Sequence, residues 1–458
     1  MRTTMKKTPR HIAVEILNRV EEHGAFAEPL LDAYLSRALL TNIHDRRLIT
    51  QIVYGTLRMR GRLDWIIGYL YRGNFISMDV GIKNILRTGL YQFLFTERIP
   101  DFAIVDEAVE ITKILHPARS GLVNAILRNA IRKKDDIVYP EIGKDPSLHI
   151  SIVHSHPLWM VKKWITIFGV EETAALCSAN NEIPPTALRV NTLKTTRERT
   201  MEELLLNGFD VKVTAYSPDG LILSNPAMSI RETTCYTSGH IQVQDEASQL
   251  IARLADPKPG ENILDICAGV GGKTTHLAEV MNNSGSITAI DISEKKIEAL
   301  RKNATRLGVT IVDTQVGNAR EKPGKAFSER FDKIIVDAPC SGLGTLRRNP
   351  EIKWRTTPED LKICAVLQKA LMESAALYLK KGGFLIYSTC TIMPEENEEV
   401  IKDFITHHPD FMITHPLNTI NSRLVDNRGY FRSYPHRHGT DGFFGAVLVK
   451  KISKGLTP

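Results

Sequence analysis

Phe331-Asp-Lys-Ile-Ile-Val-Asp-Ala-Pro-Cys340, running on into Ser341-Gly-Leu-Gly344, is a short apolar and β-branched run that stops at a turn signal. Gly382-Gly-Phe-Leu-Ile-Tyr-Ser-Thr-Cys390, followed by Thr391-Ile-Met-Pro-Glu-Glu-Asn397, repeats the pattern. Runs of this kind read as strands buried on both faces of a parallel sheet. Open α/β sheets gather their chemistry at the carboxyl ends of such strands. Each run ends there in a cysteine, which points to covalent catalysis rather than core filling.

Working outward, strands are expected at residues 262–266, 286–290, 310–315, 333–336, 384–387 and 446–450, with helices between most of them. That alternation predicts a doubly wound parallel sheet from about residue 240 to 452. The first strand runs into Leu264-Asp-Ile-Cys267-Ala268-Gly269-Val270-Gly271-Gly272-Lys273-Thr-Thr275. This nearly matches a phosphate-binding loop, G-x-x-x-x-G-K-[ST], but Cys267 stands where its first glycine belongs. The spacing of Gly269, Gly271 and Gly272 also fails the dinucleotide pattern. A glycine turn at a helix N-terminus still lets a ligand approach the backbone. Asp291 closes the next strand, where a carboxylate accepts ribose hydroxyls. Loop and acid together suit an adenosine-containing cofactor, with a phosphate-loop variant as the other reading.

Residues 1–140 read as an all-α bundle, with amphipathic stretches near 10–20, 45–59, 64–71, 82–95, 104–115 and 121–132. Breakers fall at Gly73-Asn74, Pro100-Asp101 and His116-Pro117. Residues 147–239 read as a small α+β module, with strands near 187–191, 209–213 and 220–223 whose basic side chains would suit RNA. The chain has 458 residues, 43% hydrophobic and 24% charged, as ordinary multidomain globular proteins do. Its formal net charge of +7 is concentrated at Arg46-Arg47, Arg58, Arg60, Arg62, 128–134 and Arg347-Arg348. Such clusters suit a polyanion; solvated helix faces are the alternative. Six cysteines without a CxxC pair provide neither a zinc site nor a disulfide framework. No metal is expected. The N-terminal residues lack the apolar core of a leader, and no stretch is long and apolar enough to span a bilayer, so a cytoplasmic location without membrane contact is expected.

Three motifs occur in order: the glycine loop from Asp265, Asp337-Ala-Pro-Cys-Ser-Gly-Leu-Gly344, and Ser388-Thr-Cys-Thr-Ile-Met-Pro-Glu-Glu-Asn397. Together they resemble the RNA cytosine-C5 methyltransferases, and His438-Gly-Thr-Asp-Gly-Phe-Phe-Gly445 is similar to that family's closing motif. Asp45-Arg-Arg through Arg58, Gly89-Leu-Tyr-Gln-Phe-Leu and Gly121-Leu-Val-Asn-Ala-Ile-Leu-Arg128 resemble the NusB-like domain of the RsmB/Sun branch. The resemblance covers essentially the whole chain. It implies a NusB-like bundle, a small α+β linker module and a C-terminal Rossmann-like class I methyltransferase. The implied reaction is methylation of carbon 5 of a cytosine in 16S ribosomal RNA by S-adenosylmethionine.

Carbon 5 needs activation, and a thiolate adding to carbon 6 supplies it by turning the ring into an enamine. By resemblance Cys390 is the nucleophile and Cys340 the thiol that assists release. Cys267, Ala268, Gly269, Val270, Gly271, Gly272 and Lys273 would cradle S-adenosylmethionine, with Asp291 on its ribose and Asp337 on the cofactor or the cytosine edge. Lys273 is also a candidate for lowering the thiol pKa. The family usually has Asp where this chain has Asn318, whose amide oxygen can still meet the adenine amino group. Gly269-Val270 replaces its usual Ala-Pro. A monomer without an obligate protein partner is expected. The alternatives are a transfer RNA methyltransferase of the same chemistry and a non-catalytic, antitermination-like RNA-binding factor. Cys177, Cys235 and Cys364 read as small buried hydrophobes. His436 and His438 suit surface or RNA contact better than metal, and Trp354 suits either packing or base stacking.

Overall fold

The computed structural model describes residues 7–36, 42–97, 99–224, 229–321, 329–416 and 419–452. The N-terminal residues 1–6, read above for a leader, fall outside them. The chain forms two compact units, residues 1–183 with 346–355, and residues 184–345 with 356–458.

The first unit is all helical. Pro9–Glu22, Ala27–Leu35, Ile43–Leu70, Val80–Phe95, Asp101–Leu115 and Ser120–Arg132 are followed by Pro146–Val153, Leu158–Phe168 and Val170–Ala179. The two helices expected at 45–59 and 64–71 are one, Ile43–Leu70. Its glycines do not break it because they admit neighbours: a Cβ on Gly55 would lie inside the Tyr91 ring. Helices from 146 to 179 belong to this unit, whereas the sequence placed 147–239 in one module. Their apolar faces pack on one another and on the long helix, a tertiary preference that local patterning does not encode.

The excursion Leu346–Arg355 is the last part of this unit. Glu351 caps the helix at Ala27, accepting its N–H at 2.8 Å, and Arg58 donates to the Arg347 carbonyl at 3.0 Å. Lys353 is fully buried, donating to Asn181 Oδ1 at 2.6 Å, and burial pushes its pKa down to about 7. Arg58 and Arg347 are therefore interior, not part of a surface for a polyanion as their charge suggested. Trp354 likewise packs, donating to the Leu57 carbonyl at 2.7 Å with Arg60 over its ring. Arg128 to Lys134 remain at the surface apart from Ala130 and Ile131.

The second unit contains two sheets. β1 (Thr186–Val190), β2 (Asp210–Val213), β3 (Gly220–Ser224) and β4 (Ile241–Val243) form an antiparallel sheet of order β2-β3-β1-β4. Helices Arg197–Leu206 and Thr234–Thr237 connect β1 to β2 and β3 to β4, the split βαβ arrangement of ferredoxin-like folds. The larger sheet comprises β5 (Asn262–Asp265), β6 (Ser286–Asp291), β7 (Val312–Val316), β8 (Phe331–Asp337), β9 (Leu379–Thr389), β10 (Phe411–Thr414), β11 (Phe431–Ser433) and β12 (Phe443–Lys450). Its order is β10-β12-β9-β8-β5-β6-β7, with β11 beside β12. β5 to β9 are parallel; β10, β11 and β12 make antiparallel pairs. The strand expected at 446–450 is thus an antiparallel one.

Residues alternate between two cores. Ile263, Ile335 and Ile386 join one with the helices Glu246–Ala255, Gly272–Val280 and Glu294–Leu307, while Leu264, Ile334, Val336 and Tyr387 join the other with Pro358–Tyr378 and Glu398–His407. After β7 the chain returns to the other side of β5, so the β5/β8 gap is the topological switch point where ligands bind.

Arg189 on β1 is fully buried. It forks onto Glu279 at 2.7 and 3.0 Å, and donates to the Gly272 carbonyl at 2.6 Å and Thr275 Oγ1 at 3.0 Å. It ties the small sheet to the helix after the glycine loop and is not available to RNA, although Lys212 on β2 is exposed. Arg189→Ala leaves Glu279 buried and unpaired, an expected loss of about 3–5 kcal/mol measurable by denaturant unfolding.

On the same helix His276 is buried beside Asp219, and burial with the nearby Arg189 charge pushes its pKa down to about 4. The unfolded chain takes up this proton near pH ~6.5, the folded chain only near about 4. The contribution to stability is therefore complete above the first value and lost as pH falls toward the second, by about 2 kcal/mol at pH ~5. His276→Gln should flatten the change in unfolding midpoint between pH ~7 and ~5.

Candidate active site

The proposed site residues converge on the carboxyl edge of β5 to β9. In-register pairing of Asp337 with Ser388 sets the ends of β8 and β9 side by side. Cys340, three residues beyond Asp337, and Cys390, directly after Thr389, then meet with their sulfurs 3.3 Å apart. Gly344 donates to the Cys390 carbonyl at 2.9 Å and accepts from the Gly442 N–H at 2.8 Å. A Cβ on Gly344 would stand 1.9 Å from the Gly442 carbonyl oxygen. Backbone therefore packs on backbone around Cys390, which accounts for Gly344 and Gly442 in these motifs.

Lys273, in the first turn of helix Gly272–Val280, points across the switch point to Asp337 at 2.6 Å. Its ammonium also lies 5.3 Å from the centre of the Phe443 ring. Burial alone would lower its pKa, but Asp337, their hydrogen bond and the nearby Cys390 hold it above the ordinary lysine value. Asp337 accepts in addition from Ser388 Oγ at 2.9 Å. The Cys340 thiol is held well above its usual range by its hydrogen bond to Cys390 and by burial. A cation, a carboxylate and two thiols thus share one pocket edge.

The glycine loop is folded back on itself. Gly269 (φ +57°) donates to Asp291 Oδ2 at 3.0 Å, Ala268 to the Ile290 carbonyl at 3.0 Å, and Gly271 (φ +85°) to the Ala268 carbonyl at 3.0 Å. A side chain on Gly271 would strike Leu300. Amides engaged in this way, with Lys273 turned to Asp337, do not form a phosphate cradle, and the phosphate-loop reading is set aside. Cys267 is pushed strongly up by burial and by Asp265, Asp337 and Asp291, so its thiol stays neutral. Asp265 accepts from Thr274 Oγ1 at 2.7 Å, and burial lifts its pKa to about 6. Beside the loop, apolar Val270, Ile292 and Val316 stand 50%, 70% and 51% exposed at the strand ends. This open apolar rim next to the Asp291 carboxylate fits an adenosine. Asn318 lies in the turn after β7, its amide oxygen accepting from the Arg320 N–H and guanidinium at 3.2 Å each.

Two structural comparisons bear on this arrangement. The crystal structure of PH0851 superposes with a TM-score of 0.82 at 30% identity, covering 97% of this chain and 99% of that one. The crystal structure of NSun6 from Pyrococcus horikoshii with SFG has a TM-score of 0.58 at 26% identity, covering 63% and 97%. In sequence, the probable ribosomal RNA small subunit methyltransferase B of Bacillus subtilis is 37% identical over 98% of this chain and 100% of its own. This chain belongs to the ribosomal RNA small subunit methyltransferase B family. Family models agree domain by domain: NusB family at 7–132, the ferredoxin-like domain of the RsmF/B-like methyltransferases at 156–231, and 16S rRNA methyltransferase RsmB/F at 252–449. The fold class expected from the sequence holds. The family acts on small-subunit ribosomal RNA, which sets aside the non-catalytic reading, and S-adenosylmethionine is the cofactor of this methyltransferase.

Sequence reading left Ser388, Glu396, Asn397, Gly344 and Gly442 without roles although it quoted the motifs containing them. Their spacing carried the only signal. Cys177 and Cys235 are buried as expected, their pKa values pushed up to about 12. Cys364 is only half-buried and sits beside Glu396. His438 accepts the Tyr434 N–H at 2.9 Å, and among the described residues no cluster could hold a metal. Nor, among them, is any helix long and apolar enough to cross a membrane.

Proposed function

We propose that this methyltransferase modifies carbon 5 of a cytosine in 16S ribosomal RNA through a covalent adduct on Cys390. The observation that carries the reading is the pair of sulfurs 3.3 Å apart at adjacent strand ends beside Lys273 and Asp337. Cys390 follows β9 directly and lies within electrostatic reach of the Lys273 cation. Its sulfur adds to carbon 6 of a base held out of its stack, leaving an electron-rich carbon 5. S-adenosylmethionine, when bound, supplies an electrophilic methyl group. Asp337, oriented by Lys273 and Ser388, holds the polar edge of the cytosine. After methylation, the carbon 5 proton passes to solvent as the carbon 6–sulfur bond breaks, and the bond's electron pair returns to Cys390 as its thiolate. Cys340, which retains its proton and touches Cys390, assists that release.

Cys267 to Lys273 shape the floor of the cofactor site, with Ile292 and Val316 on the apolar face and Asp291 on the ribose. Asp291 also anchors Gly269 and Ser293 through their N–H groups. Asp291→Ala should weaken S-adenosylmethionine binding roughly tenfold to a hundredfold by calorimetry, since two charge-assisted hydrogen bonds are lost. Unchanged affinity would remove Asp291 from the site. Asn318 contributes by the same reading, once its amide is released from Arg320. A cytoplasmic monomer completes the proposal.

The test is methyl transfer from labelled S-adenosylmethionine to naked 16S ribosomal RNA and to bulk transfer RNA, with digestion to nucleosides. 5-Methylcytidine in the ribosomal RNA alone supports the reading. Label in transfer RNA alone keeps the chemistry and overturns the substrate. Label in the ribosomal RNA on any other nucleoside overturns the chemistry.

A further inference from the structure

Directly beneath the thiols lie two side chains that no step above uses. The 3-10 turn Pro394–Glu396, a few residues past β9, carries Glu396 and then Asn397, and both are fully buried. A buried carboxylate is costly unless donors satisfy it, so its partners show what it holds. Glu396 accepts from the Ser341 N–H at 2.7 Å and from the Ser341 hydroxyl. Gln368 Nε2 lies 3.3 Å from the same carboxylate and donates to the Pro339 carbonyl at 2.9 Å. These bonds bracket Cys340. Asn397 brackets the other sulfur: its Oδ1 accepts from Thr389 Oγ1 at 2.6 Å, and its Nδ2 donates to the Thr391 carbonyl at 3.0 Å. The two halves are joined where Ser341 Oγ meets Thr391 Oγ1 at 2.9 Å.

We infer that Glu396 and Asn397 are positioning residues that set the spacing of the two thiols, Glu396 through the Cys340 turn and Asn397 through the Cys390 strand end. One dipeptide thereby controls two steps separately. Disturbing Glu396 moves the sulfur that assists release; disturbing Asn397 moves the nucleophile. Cys340 sits on a turn, where its peptide bonds are not locked into the sheet ladder, so an anchor from outside the turn is needed. The kinetic part rests on the cytosine-adduct reading proposed above, whereas the geometric part does not.

Two measurements on the full chain separate these parts. The first needs no RNA. Diamide takes two electrons and two protons from a pair of close thiols, leaving a disulfide, and the rate of forming the Cys340–Cys390 bond is followed by peptide mapping. Glu396→Ala and Asn397→Ala should each slow it about tenfold or more, because displacement of a reacting group by an ångström costs on the order of a hundredfold. Ser341→Ala, which keeps the backbone bond to Glu396, should slow it less, and Glu396→Gln should fall between. Circular dichroism and thermal midpoints identify any variant that has lost its fold, and the two milder variants then carry the comparison.

The second measurement is a single turnover with ribosomal RNA. Glu396→Ala should complete methyl transfer at close to the wild-type rate and retain the RNA as a covalent adduct, as is expected of Cys340→Ala. Asn397→Ala should slow the first turnover roughly tenfold to a hundredfold and retain none. Unchanged disulfide rates in all variants overturn the inference. Slowed disulfides with equal losses of first turnover overturn the division of labour. Slowed disulfides with no adduct from any protein, Cys340→Ala included, support the positioning role and overturn the adduct reading instead.

Discussion

Cys390→Ala is expected to abolish methyl transfer, lowering single-turnover rates at least roughly ten-thousand-fold, whereas Cys340→Ala should methylate once and stay attached to its RNA. The two sulfurs touch, at 3.3 Å, yet their surroundings differ. Cys390 directly follows β9, within electrostatic reach of the Lys273 cation, whereas Cys340 sits on a turn and its thiol pKa is raised by its hydrogen bond to Cys390 and by burial. On the proposed reading, removing the first deletes the group that adds to the ring, and Cys340, held on its own turn, does not take its place. Removing the second leaves addition and methylation intact and slows only the breaking of the carbon–sulfur bond. The check is a denaturing gel with labelled RNA beside a filter assay for methyl transfer. Adduct from Cys390→Ala and none from Cys340→Ala would exchange the roles.

Lys273→Met is expected to lower kcat/KM by roughly a hundredfold to a thousandfold, the scale of losing one preorganised electrostatic group. It removes the cation that Asp337 and Cys390 share. Asp337 keeps only Ser388 as a partner in this pair of contacts and loses its orientation. Lys273→Arg restores charge but not the compact geometry of an ammonium buried against Phe443, so recovery should be partial. An unchanged kcat/KM in Lys273→Met would assign Lys273 to packing alone.

Much of this site was legible before any coordinates. Cys340 and Cys390 ended apolar runs at turns, and Asp291 closed a strand after a glycine loop; those are local properties. The alternation of strand and helix followed from period, which is also local. Roles that depend on distant partners were not legible. Arg189 reads as one more basic residue on a strand, and it is the buried tie between two sheets. Arg58 and Arg347 read as surface charge, and they form part of the interior of the helical unit. β4, β10 and β11, of three or four residues each, are not among the strands expected from the sequence.

By itself the sequence determined where strands stop, which residues stand at those ends, and that helices cover both faces of the sheet. Apolar periodicity and turn chemistry act over a few residues and survive in a linear string. The tertiary structure alone decided that β8 lies next to β9, so that Cys340 meets Cys390, fifty positions away in the chain. It likewise decided that Lys273 turns to Asp337 rather than to the loop mouth, and that Glu396 and Asn397 reach under both thiols. Strand order and register bring such groups within hydrogen-bonding distance, and both are set by the burial of whole faces, not by the residues nearest in sequence.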